Sequence, residues 1–267
     1  MRGFLRRLFA CFGVITVLFS IPSHASADEK IIERNEGIAS NESGSELFKE
    51  THWIAGSAPH RKMLILFRCL DGNAFARKQM SEDGRPFAPD FDFEDERMGY
   101  REGVRTRGGL SREIYVQRRS DGPEQSASLD AGAGLVIDGG IDAVIKTHWD
   151  DIVGGKVRSM PFVVPSRLRT YSFRVRRVAN ASATAPTQYR FRLELDSWFA
   201  FALSSIDMIY DATTRTVLAI EGISNVRQSS GRPFPVHIRF PPNLRSKVTS
   251  ADWEKAEREP LNGRCDF

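Results

Sequence analysis

The chain has 267 residues with 38 basic and 34 acidic side chains, a net charge of +4, and 41% hydrophobic residues. That length suits one large domain or two small ones. The basic excess argues weakly for nucleic acid, because three of the cations, Arg2, Arg6 and Arg7, sit in a leader without a single acid.

Leu8 to Ile21 follows as an almost unbroken apolar run, then Pro22-Ser23-His24 and Ala25-Ser26-Ala27. A basic start, an apolar run too short to span a bilayer comfortably and a small-x-small site read as a cleavable export signal over 1–27. The expected mature protein starts at Asp28, lies in a Gram-negative periplasm and is not an integral membrane protein. Cys11 precedes the apolar run, which argues against lipidation there. Cleavage takes 38 basic and 34 acidic residues to 35 and 34, so no nucleic-acid partner is expected. Cys69 and Cys265 remain. An even pair in an oxidising compartment points to one disulfide, the alternative being two buried thiols.

Residues 28–46 are acidic, rich in Ser and Asn and short of apolar periodicity, and read as a flexible lead-in. Residues 47–267 read as a single antiparallel β domain. Its strands are expected at Leu47–Ile54, Lys62–Cys69, Ala74–Gln79, Phe91–Val104 and Arg112–Arg118, with a polar loop over 120–134. One helix is expected over 140–153. There Ile141, Val144, Ile145, His148, Trp149 and Ile152 share a stripe at helical spacing, with Asp138 placed to cap it and Gly154-Gly155 to stop it.

The later strands alternate clearly. Tyr171, Phe173 and Val175 share one face and Arg174 and Arg176 the other; Tyr189, Phe191, Leu193 and Leu195 oppose Arg190, Arg192, Glu194 and Asp196. Such strands bury one face and wet the other, and cross-strand ion pairs account for the arginines more simply than an anion-binding stripe does. Ile206–Tyr210, Thr216–Gly222 and Pro235–Phe240 continue the series, and Asp252–Glu259 reads as a short helix. The fold class is therefore mainly β (α+β): a large curved antiparallel sheet or half-open β-barrel, with one amphipathic helix packed on its concave face.

No nucleophile elbow, zinc-protease helix, Walker loop, dinucleotide fingerprint or C-x-x-C spacing is present, so no cofactor, metal site or catalytic residue is assigned. His148 near Asp138, Asp150 and Asp151 is the best enzyme-like group, but on the apolar stripe a packed histidine is the commoner case.

The run Ile206–Asp211, then Arg215–Asn225, Gly231 and the strand to Phe240 resembles the late β-meander of periplasmic lipoprotein-carrier (LolA/LolB-type) half-barrels. It is similar also to uncharacterised proteobacterial periplasmic families with that fold. The resemblance covers about the last hundred residues and transfers no functional residue. It implies an open curved sheet holding acyl chains or another apolar ligand. The expected function is a binding or carrier protein for a hydrophobic small molecule or lipid, without catalysis. Ile145, Trp149, Phe162, Trp198, Phe201 and Met208 are the expected ligand-binding residues. The alternatives are an envelope interaction module with a protein partner, or a hydrolase using His148.

Overall fold

The computed structural model describes residues 31–108, 111–130, 132, 134–180, 187–197 and 205–267. The expected leader and two expected site residues, Trp198 and Phe201, lie outside them.

Eight strands open the described chain: β1 Ile32–Ser40, β2 Glu46–Ala55, β3 Lys62–Arg68, β4 Ala74–Ser81, β5 Asp90–Asp95, β6 Tyr100–Thr106, β7 Arg112–Gln117 and β8 Gln125–Leu129. Helices α1 Gly140–Thr147 and α2 Trp149–Val153 follow. Next come β9 Arg158–Val164, β10 Arg169–Val178, β11 Gln188–Leu195, β12 Ile206–Asp211, β13 Val217–Arg227, β14 Pro233–Arg239 and β15 Arg245–Val248, and last α3 Ser250–Glu257. All fifteen strands join one sheet, in the order β8-β7-β6-β5-β4-β3-β2-β1-β14-β13-β12-β11-β10-β9, with β15 beside β1. Each meander runs strand to neighbouring strand. They meet at β1, whose Ile38–Ser40 pair β14 and whose Ile32–Asn35 pair β15.

The sheet curls without closing. Its edges, β8 and β9, do not pair. Instead the 3-10 turn Pro165–Arg167 after β9 sits against β6 and β7, and the Arg118 guanidinium donates to the Ser166 carbonyl at 2.9 Å. The expected half-open antiparallel sheet is thus the observed one.

Five expectations are corrected. The lead-in over 28–46 contains β1, at the centre of the sheet. Its polar composition concealed a strand because Glu33, Arg34, Asn35 and Glu36 interrupt the apolar alternation, although only Glu33 of β1 is exposed. The helix over 140–153 divides at His148, whose backbone (φ −107°, ψ 24°) leaves the helical region. Asp138 does not cap α1: Gly139 occupies the N-cap, and the Asp138 carboxylate turns to Lys78. Within the region read as a loop, Gln125–Leu129 forms β8, and Phe91–Val104 is a hairpin of two strands.

Among the described residues, the apolar side chains form three clusters. On the inner face of β9–β12, Ile141, Val144, Ile145, Trp149 and Ile152 pack on Met160, Val175, Phe191, Leu193, Met208 and Tyr210. Trp149 meets Phe191 and Tyr210 edge-on, at centroid distances of 5.2 and 5.6 Å, a favoured aromatic geometry. On the outer face of β2 and β3, α3 covers Trp53, Leu64 and Leu66 with Trp253 and Ala256.

The third cluster closes one end. Cys69 and Cys265 form a disulfide with Cα atoms 5.7 Å apart. It anchors the tail, so that Phe267 packs against Phe48, Phe75 and Phe234. Arg97 stacks on both Phe75 and Phe267, pairs with buried Asp95 at 2.7 Å, and donates to the Cys265 and Arg227 carbonyls. A buried guanidinium is tolerated here because its charge and its donors are both answered.

The outward faces of β10–β13 carry an ion-pair ladder, as the alternation implied. Glu194 accepts from Arg174 and Arg176; Asp207 accepts from Arg190 and Arg192. Burial alone would raise the Asp207 carboxyl. The bonds from Arg192 and Arg190 outweigh it and hold the group below its ordinary value of 3.8. A carboxyl depressed on folding contributes stability that is complete above its unfolded value and is lost as pH falls through the folded one. The melting temperature should therefore fall as pH drops from about 5 to below 4, near the unfolded carboxylate range. Asp207→Asn should flatten part of that fall in circular-dichroism melts. An identical acid slope in the variant would refute this.

Candidate functional site

Between the sheet and α1 lies one cavity of about 1390 Å³. It exceeds the roughly 300–1,000 Å³ of ordinary small-molecule sites. Strand periodicity builds its wall. On β2 the inward residues are Glu50, His52 and Ile54, while Trp53 and Ala55 point outward under α3. On β14, Val236 and Ile238 face in, and Phe240, just past its end, faces in with them. Opposite them the wall runs through Phe162, Phe173, Leu193 and Met208, and Ile141 of α1 roofs it. Gly37 of β1 lets the Phe240 ring lie close to the strand, for a Cβ there would stand 2.7 Å from that ring.

One part of the wall is polar and tightly paired. Lys78 on β4, a buried residue, donates to both Asp138 oxygens at 2.9 and 3.0 Å and to the Asn225 side-chain oxygen. The Asn225 amide donates to Glu102 at 2.7 Å. Glu102 also accepts the Tyr100 hydroxyl at 2.7 Å, and Arg227 donates to that hydroxyl oxygen at 2.6 Å. Burial, then the Glu102 charge, pushes the Tyr100 phenol far up, so it remains a donor. This chain ties β4, β6, β13 and the entry to α1 across the cavity. Glu50 and His52 form a second pair at 2.8 Å, with His52 edge-on to Phe240 at 5.1 Å between centroids.

Of the expected ligand-binding residues, Phe162 and Met208 line the cavity. Ile145 and Trp149 belong to the packed interface between helices and sheet, behind the wall. His148 also stands outside the wall, where its Nε2 lies 3.0 Å from the Arg158 guanidinium. The carboxylates grouped with it bond elsewhere: Asp138 to Lys78, Asp150 to Arg215 and Asp151 to Lys156. Among the described residues, no three His, Cys, Asp or Glu side chains come together as a metal site, and no helix is long and apolar enough to cross a membrane.

The polar network was not anticipated, yet a signal for it exists. Lys78 shares strand parity with Ala76 and Met80, and Glu50 and His52 share it with Phe48 and Ile54. A charge in phase with apolar neighbours on a strand points inward.

No protein-family model matches the chain, and no curated protein matches it. Among solved structures it is similar to the crystal structure of a β-barrel-like protein of a domain of unknown function, DUF1849, from Brucella abortus. The identity is 10% and the TM-score 0.46, over 82% of this chain and 99% of that one. A likeness at that level carries no functional assignment, and no comparison places the chain among the lipoprotein carriers.

Proposed function

We propose that this protein binds or carries a hydrophobic, lipid-like ligand in the periplasm, without catalysis. The observation that carries this reading is the cavity of about 1390 Å³ between sheet and helix, with apolar side chains over much of its wall. Burying an acyl chain there gains about 25 cal/mol per Å² of apolar surface before association costs. The 1–27 leader supports export, and the Cys69–Cys265 disulfide suits an oxidising compartment. An envelope interaction module calls for a filled interior, which this cavity does not favour.

Purified protein should carry co-purified lipid in native mass spectrometry and bind a fluorescent fatty-acid analogue. Ile220→Trp, placed on the cavity wall, should weaken that binding by about tenfold or more, a loss of ~1.4 kcal/mol. No co-purified lipid together with no binding of the analogue overturns the reading.

A further inference from the structure

We infer that the cavity takes an anionic amphiphile, its acid group held where β7 meets the Pro165–Arg167 turn. This deepens the carrier reading and rests on it. Among the described residues, the cavity wall holds nine Lys or Arg against five Asp or Glu, whereas the whole chain is close to balance at 38 and 34.

The excess stands at two places: on β15, where Arg245 donates to the Thr216 hydroxyl and the Val217 carbonyl and Lys247 lies opposite the wall's Glu33 in register, and at the seam between the sheet edges. The inner acids are answered: Asp138 by Lys78, Glu102 by Asn225 and Tyr100, Asp142 by Lys146, and Glu50 by His52. At the seam between the sheet edges, Arg118, Arg119 and Arg167 border the cavity together, all exposed. Arg119 pairs with Asp121 at 3.2 Å. Arg118 spends its donors on neutral oxygens, the Gln125 side chain and the Ser166 carbonyl. Arg167 meets no acid among the described residues. Two guanidinium charges without a carboxylate thus stand at one end of an apolar space. Phe162, three residues before the Pro165–Arg167 turn, and Phe173, whose ring centroid is 5.3 Å from that of Phe162, line the same cavity. A head group with negative charge satisfies the first feature and an acyl chain the second. Guanidinium forks suit a carboxylate or a phosphate ester equally, so the shared chemistry is a lipid-borne oxyanion.

The test is calorimetric titration of the full chain with oleate and with oleyl alcohol, which share a chain length and differ in charge. Oleate should bind tighter by about tenfold or more, the usual worth of charge-assisted hydrogen bonds. Arg118→Gln with Arg167→Gln should bring oleate to the level of the alcohol and leave alcohol binding unchanged, which also shows that the variant is folded. Arg167→Gln alone should give part of that loss. Millimolar inorganic phosphate should not displace oleate. Equal affinity for the two ligands in the wild type, an unchanged oleate affinity in the double variant, or displacement by phosphate overturns the inference while the carrier reading stands. Failure of both ligands to bind overturns both.

Discussion

Replacing Lys78 with alanine should destabilise the protein by about 3–5 kcal/mol, the usual cost of removing one partner of a buried ion pair. Lys78 is 7% exposed and is the cation facing the Asp138 carboxylate at 2.9 Å. Its loss leaves that carboxylate inside the cavity wall and frees the Asn225 oxygen as well. Chemical denaturation should show a lower midpoint at an unchanged slope. Adding Asp138→Ala to Lys78→Ala should cost less than the two single losses summed, since the second change removes the charge that the first left alone. Strictly additive losses would mean that Lys78 acts through its aliphatic stem and not through this pair.

Removing the disulfide by Cys69→Ser with Cys265→Ser should cost about 2–5 kcal/mol, toward the upper part of that range because the loop is long. The bridge joins residues 196 apart in sequence. Beyond the loop entropy, it fixes the tail that carries Phe267 into the ring of Phe48, Phe75 and Phe234. Non-reduced wild type should melt well above both the double variant and wild type reduced with dithiothreitol, and these last two should agree. Equal melting temperatures with and without the bridge would contradict this.

Much of the architecture was legible in the sequence where one strand face is apolar and the other charged. β10 and β11 show this best: Phe173, Val175, Phe191 and Leu193 face inward against an arginine and carboxylate ladder. β1 was not legible, because its Glu33, Arg34, Asn35 and Glu36 conceal a strand whose neighbours on both sides lie far along the chain or across a turn. The candidate site was half legible. Phe162 and Met208 reach the cavity through strand parity. The helix stripe misled: amphipathic spacing shows that a helix face is buried but not whether it meets a ligand or a sheet, and Trp149 meets the sheet. The rim arginines gave no local pattern, since Arg118 and Arg167 come together only through the curl of the sheet.

The central place of β1 also sets an order of assembly. Each meander, β1–β8 and β9–β14, forms from neighbouring hairpins and so from short-range contacts. The join between β1 and β14 brings together residues such as Ile38 and Arg239, from opposite ends of the fold. Such long-range pairing is the slow part of folding. Until it occurs, two matched strand edges wait on the same chain, and each can be taken by the complementary edge of another copy. Crowded refolding therefore favours exchange of halves between molecules, whereas dilute refolding favours closure within one.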